Sequence, residues 1–375
     1  MDKETLDRYV SEGWLISQKH PSFPLSIYNY SQSVQYGKKW DEVTLACRGL
    51  IVDSKTGKVI IKPFPKFFNY EEIPNEVPWD ESSHVQVQKK MDGSLGILFK
   101  YQGEWVMATR GSFTSVQAKK GLEIIKSKYD LTKFIDHVAY LVEIVYPDNR
   151  IVVDFGKEEK IFFLSTTPNL HFSEWEELKS SELNWATSLA LFKSSDILEE
   201  DIVETKTLHD GFDHLVYEEL KSMNTPNEEG FVLRFYPSNF RCKIKFEDYV
   251  ALHRIVTQVS SYDIWENLKN HGKLPEAFLK NVPDEFYEWV KGVENEVSHQ
   301  FRFLKSLHAA HVNSVLRYGL NSRKLMAAAF MSIKDPRIST GVLFLIADEK
   351  DPDSKIWDMV KPEYSRPFAN KIEIQ

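Results

Sequence analysis

Between about residues 25 and 170 the chain alternates short β-branched and aromatic runs with Gly, Asp, Asn and Pro. GLIVD, VQVQ, LGILFKY, WVMATR, YLVEIVY, IVVDF and IFFLST each have the length and composition of a strand, and the residues between them supply turns. One stretch breaks the pattern: SVQAKKGLEIIKSKY predicts a helix at about 115–128. Residues 174–223 mix acidic helical segments with loops, and GFVLRFY and RCKIKF, separated by the turn PSNF, predict two more strands. After Phe246 the period changes. DYVALHRIVTQVSSYDIWENLKNHG, LPEAFLKNV, PDEFYEWVKGVENEV and SHQFRFLKSLHAAHVNSVLRYG carry apolar residues three and four apart, as helices do, with Pro275 and Pro283 marking helix starts. The expected fold class is therefore α+β: a body of antiparallel sheets with helices over 1–247, followed by an all-helical C-terminal domain over 248–375.

Composition changes this picture little. The 375 residues are 42% hydrophobic and 27% charged, which suits a globular chain of two or three domains. Cys47 and Cys242, without a CxxC spacing, give neither a zinc site nor a disulfide framework. His308 and His311 lie one helical turn apart but have no third ligand, so ordinary surface or core roles are expected. The start, MDKETLDRYV, has no basic or apolar leader, and no apolar run approaches the ~20 residues of a membrane span. A cytoplasmic protein with no membrane partner is expected, in the host cytoplasm if the source is viral.

Charge matters through its distribution. The net value of −8 disfavours a polyanionic partner, yet residues 131–230 alone carry −13 while 1–130 carry +2 and 231–375 carry +3. Binding follows local clusters, so nucleic acid remains a candidate partner.

The candidate chemistry lies in KKMDGSLG. Lys90 ends the strand-like run VQVQKK, and Asp92-Gly93-Ser94 turns the chain into the next strand. A neutral lysine held at such a turn can attack phosphorus and form a phosphoramidate, an activated nucleotide carrier. Its ordinary pKa of ~10.4 must first be lowered by burial or nearby cations. The alternative is a surface hairpin with a lysine beside it. Downstream, Arg110 in TRGS, Glu143 in YLVEIVY, Phe163 in KIFFLST, Glu229 in EEGFVLRF, and Lys243 and Lys245 in CKIKF supply cations, carboxylates and an aromatic ring. Lys243 and Lys245 share one face of a strand. Each has a plainer reading: Glu143 as a lone strand carboxylate, the two lysines as a solvated edge, and Phe163 as core. Glu229 is chosen over Glu228 only because Gly230 follows it.

In this order the segments resemble the motifs of the covalent nucleotidyltransferase superfamily of DNA ligases, RNA ligases and mRNA capping enzymes. Upstream, TLACRGLIVD and KPFPKFFNY resemble the N-terminal region of the phage-type (type 1) single-strand RNA ligases used in tRNA repair. The resemblance covers about residues 25–250; beyond it only class and length agree. It implies that Lys90 takes up AMP from ATP, with Lys243 and Lys245 assisting. It places Arg48, Lys66, Phe68, Asp92, Gly93, Arg110, Glu143, Phe163 and Glu229 around the nucleotide, Phe163 as the base-stacking residue. Mg²⁺ or Mn²⁺ would act on the phosphates, with Glu143 and Glu229 as metal contacts, directly or through water. The implied partners are RNA with 5′-phosphate and 3′-hydroxyl ends, including nicked tRNA, and an end-healing kinase/phosphatase. Arg110 stands where some relatives have lysine, and both are cationic. A DNA ligase or guanylyltransferase, which would carry a β-rich domain after residue 250, and a non-catalytic RNA-binding module are the alternatives. The absence of GxxxxGK[ST] excludes a P-loop.

Overall fold

The structure is a computed structural model describing residues 2–73, 84–172, 183–209, 211–257, 259–279, 282, 286–320 and 322–367; Pro283 lies outside them. The chain divides into two compact units, Met1–Val256 and Thr257–Gln375.

The first unit is built on three sheets. One runs in chain order through β1 (Leu15–Lys19), β2 (Leu25–Tyr30), β3 (Arg48–Asp53) and β4 (Val59–Ile61). The remaining strands are β5 (Phe68–Asn69), β6 (His84–Lys89), β7 (Ser94–Tyr101), β8 (Glu104–Thr109), β9 (Val138–Val145), β10 (Lys160–Pro168), β11 (Thr205–Leu208), β12 (Gly230–Tyr236) and β13 (Arg241–Lys245). They form a second sheet of order β10-β9-β7-β8 and a third of order β11-β6-β12-β13-β5. All pairings are antiparallel except that of β5 with β13. The α+β body expected from the sequence is present.

Burial explains the strand sequences. Strands β7 and β9 are apolar on both faces because both faces of the second sheet are covered. Ile97, Phe99, Ala139 and Leu141 pack on Leu25, Ile27 and Ile51 of the first sheet. Leu98, Tyr140, Val142 and Ile144 pack with Ala118, Ile124 and Ile125 of the helix Val116–Lys128, which begins where Ser115 caps the Ala118 amide. Strand β6 reads HVQVQK, and only Val85 and Val87 turn into the core.

Two expectations need correction. IVVDF is not a strand: Val152 and Val153 give their amide hydrogens to the Asp92 carboxylate, so they cannot join a ladder there. Strand β11, within TKTL, lies in a region expected to hold only helix and loop. It pairs with β6 at an edge and is mostly exposed, so its apolar signal is weak.

The described part of the second unit is helical. Its long helix, Tyr287–Arg317, is continuous across two segments that the sequence presents separately, because Val290, Val297, Leu304 and Val312 keep one buried stripe through Gly292 and Ser298. It packs on the helices Ser261–His271, Thr340–Ala347 and Asp353–Met359. His308 is fully buried in that stripe. The Ser339 amide donates to its Nε2 at 2.9 Å, so Nδ1 carries the hydrogen and donates to the Leu304 carbonyl at 2.7 Å. The ring is neutral, and burial holds its pKa below the usual value. An unfolded chain takes up a proton near pH 6.5 while the folded ring resists, so this residue's stabilisation is full above that pH and is lost as pH falls below it.

Amide exchange at Ser339 and along Tyr287–Arg317, corrected for intrinsic rate, is expected to speed up between pH 7 and 5. His308→Leu should remove that dependence and cost about 1–3 kcal/mol by orphaning the Ser339 amide.

Candidate active site

Lys90 stands where the chain leaves the third sheet for the second. Its amide donates to the Gly230 carbonyl at 2.8 Å, one residue past the end of β6, and Ser94 opens β7. The crossing is tied by Asp92, which is 3% exposed. Asp92 Oδ2 accepts from the amides of Val152 (2.9 Å) and Val153 (2.8 Å), and Oδ1 accepts from the Tyr249 hydroxyl (2.9 Å). The next residue has no room for a side chain: a Cβ on Gly93 would lie 2.6 Å from the Ile144 carbonyl oxygen. The Gly93 amide donates to Glu143 Oε1 at 3.1 Å. Lys-x-Asp-Gly thus fixes the lysine's backbone from both sides.

The lysine side chain reaches a buried carboxylate. Lys90 Nζ donates to Glu229 Oε2 at 2.7 Å, and Lys245 Nζ lies 3.4 Å from Oε1; the Glu229 side chain is only 3% exposed, that of Lys90 22%. Its neighbour Glu228 pairs with Lys89 instead. Gly230 holds φ at +136°, where a Cβ would meet the Ile244 carbonyl oxygen at 2.0 Å, so the tight start of β12 that aims Glu229 inward demands glycine. Lys243, also buried, pairs in register with Val232 of β12 and Asn69 of β5.

Glu143 approaches from β9. Burial pushes its pKa up to about 7, Lys90 pulls it down, Glu229 pushes it up again, and Arg48 and Asp92 add smaller opposing effects. The side chain keeps some exposure, and water moderates these effects.

The N-terminal residues gather around Tyr30. Lys66 Nζ lies 5.8 Å from the Tyr30 ring centroid, 5.4 Å from Trp40 and 5.3 Å from Phe68. The Arg110 guanidinium lies 5.6 Å from the Tyr30 centroid and donates to its hydroxyl at 3.4 Å. Arg48, at the start of β3, rests 5.6 Å from the Phe67 centroid, and its buried Nη1 has no hydrogen-bond partner. An orphaned guanidinium nitrogen calls for a hydrogen-bond acceptor that a ligand can bring.

Phe163 is misplaced as a base-stacking residue. It is fully buried among Tyr129, Phe134, Tyr140 and Phe192, on the face of the second sheet turned from Glu143. Phe162, directly opposite Glu143 in the register, shares the Glu143 face and packs beside Phe155 at 5.7 Å. Two adjacent phenylalanines look alike in sequence; only the strand register chooses between them. Tyr30, Trp40 and Tyr249 were also missed. Tyr249 falls after the second of the paired strands, in a segment whose helical period gives no hint of its bond to Asp92.

The family model for RNA ligase matches residues 46–249, a span holding every catalytic and nucleotide-binding candidate named from the sequence. The chain belongs to the RNA ligase family. A protein of the Autographa californica nuclear polyhedrosis virus, named for polynucleotide kinase and RNA ligase, is 25% identical over 268 residues, 65% of this chain but 34% of its own length. The RNA ligase of Rhodothermus phage RM378 is 26% identical over 321 residues, 68% of this chain and 69% of the relative. Among solved structures, an archaeal ATP-dependent RNA ligase aligns with a TM-score of 0.46 at 14% identity, covering 78% of this chain and 75% of that one.

A carboxyl whose folded pKa is raised costs stability as pH rises from about 4.5 to about 7, because the unfolded glutamate ionises first. In metal-free protein, Glu143→Gln should melt higher than wild type at pH 7.5, by about 2–4 °C, with the advantage shrinking toward pH 5. An equal or lower melting point at pH 7.5 would show that the carboxyl is not strained by its surroundings.

Proposed function

We propose that this protein is an ATP-dependent RNA ligase that works through a lysyl-AMP intermediate on Lys90. The observation that carries the reading is the Lys90 amine, held at the junction of two sheets against the buried Glu229 carboxylate that Lys245 also contacts. In the first step the amine gives up a proton, for which Glu229 is the adjacent acceptor. Nζ then attacks the α-phosphorus of ATP, a P–N bond forms, and the P–O bond to pyrophosphate breaks. Lys243 and Lys245 neutralise charge on the α-phosphate as it builds. Arg48 and Lys66 hold outer phosphates or the later RNA phosphate, and Arg110 contacts the sugar or phosphate. AMP then passes to the 5′-phosphate of an RNA end, and the 3′-hydroxyl of another end attacks that phosphate and expels AMP.

Among the described residues no cluster of three or more His, Cys, Asp or Glu side chains forms a ready metal cage. The donor set still fits Mg²⁺ or Mn²⁺: Glu143 and Glu229 repel one another across the site, and such an ion keeps several waters and uses substrate phosphates. When bound, the ion would neutralise phosphate oxygens; Glu143 and Glu229 would hold it, in part through water.

The substrate class proposed is RNA with 5′-phosphate and 3′-hydroxyl ends, in RNA or tRNA repair. The kinase named in the baculovirus relative supports an end-healing partner. The helical character of the described residues between 259 and 359 favours this reading over a DNA ligase or capping enzyme with a β-rich domain there.

Incubation with labelled ATP and Mg²⁺ followed by denaturation should leave AMP on the wild type and none on Lys90→Ala. Lys243→Ala and Lys245→Ala should each slow labelling by about 10²–10³-fold. A label that persists in Lys90→Ala would end this reading; ligation of a nicked tRNA against unstructured oligonucleotides would then rank the substrates.

A further inference from the structure

Buried polar atoms without a hydrogen-bond partner include Asn29 Oδ1 and Arg48 Nη1, and these two residues are paired in register across β2 and β3, beside a bulge between Tyr28 and Asn29. Asn29 is 5% exposed, and its Nδ2 donates to the Tyr30 carbonyl at 3.0 Å. That bond fixes the amide's orientation, since turning it over would set Oδ1 against a carbonyl oxygen. A residue with an acceptor lacking a donor is thus the register partner of a residue with a donor lacking an acceptor, and burying either atom unmatched is unfavourable.

Arg48 is within electrostatic reach of Glu143 and Arg110, two residues of the candidate site. A Cβ on Gly111, next to Arg110, would meet the Asn29 Cβ at 3.5 Å. Leu25 and Ile27, on the same face of β2 as Asn29, share a core with Met91 and Leu95, which bracket the Asp92 turn.

We propose that Asn29 and Arg48 together bind a ribose hydroxyl, belonging either to ATP or to the RNA end. The Arg48 guanidinium donates to the hydroxyl oxygen, and the hydroxyl donates to Asn29 Oδ1. A hydroxyl carries one donor and two acceptor positions, the complement of these two orphans. A phosphate oxygen would satisfy Arg48 and leave Asn29 unmatched; an amino group would do the reverse. The guanidinium retains other N–H groups for phosphate. A deoxy substrate leaves both groups orphaned, which makes Asn29 a specificity residue. The identification of the hydroxyl as ribose rests on the ligase reading above.

Equilibrium binding needs no turnover and separates the two readings. In the full chain carrying Lys90→Ala, to prevent covalent capture, dissociation constants are measured with Asn29 intact and with Asn29→Ala. The ligands are ATP, 2′-deoxyATP and 3′-deoxyATP with Mg²⁺, and an RNA oligonucleotide ending in either a ribose or a 2′-deoxyribose. With Asn29 intact, one deoxy replacement should weaken binding about 3- to 10-fold; in Asn29→Ala the same replacement should change it less than about twofold. The arm that responds assigns the hydroxyl to ATP or to RNA. Because each ratio is taken within one variant, a partly misfolded variant does not distort it. Full discrimination retained by Asn29→Ala in every arm, or none with Asn29 intact, overturns the proposal. Discrimination in a protein whose wild type never forms covalent AMP would instead overturn the ligase reading and leave the hydroxyl site standing.

Discussion

One buried carboxylate, Asp92, holds three distant parts of the chain together. Its oxygens bind two amides of the loop after β9 and the hydroxyl of Tyr249, on the helix after β13. A buried carboxylate is tolerated only where donors surround it, so these bonds are a condition of its being there. They also stop residues 151–153 from forming a strand and set the angle at which the chain passes between sheets. Lys90, two residues earlier, inherits its position from them. The pairing of its amide with Gly230 and the steric demand at Gly93 complete a turn with no freedom in its backbone.

Several charges interact around that turn. Glu229 is shared by Lys90 and Lys245, Glu143 approaches from another sheet, and Arg48, Lys66 and Arg110 lie against aromatic rings. Aromatic faces hold cations without neutralising them, leaving their charge available to a phosphate. A chain of net −8 can therefore still gather cations at one site, because its excess acidity lies in residues 131–230 while Arg48, Lys66, Lys90, Arg110, Lys243 and Lys245 all come from outside that block.

Much of this was legible in the residues. The alternating and apolar runs marked most strands of the first unit, and the helix after Ser115 was visible from its period. Lys90, Glu143, Glu229 and Lys245, grouped in the sequence only by the family resemblance, interact in the fold from β9, β13 and the ends of β6 and β12. What was hidden depended on register or on distant bonds. Phe162 and Phe163 are interchangeable until the strand's phase is known. IVVDF has every local property of a strand and loses its ladder to one aspartate. The helix Thr340–Ala347 is nearly all apolar, so it carries no helical period to detect. Asn29 has no chemical signature in sequence; its meaning lies in a hydrogen-bonding atom left unmatched across a ladder.

The contact between Lys90 and Glu229 also bears on timing in the proposed reaction. On the lysyl-AMP reading, an amine clasped by a carboxylate must be let go before it can attack. Phosphates that compete for the same charges would loosen that clasp, so the substrate itself would arm the residue that takes it up.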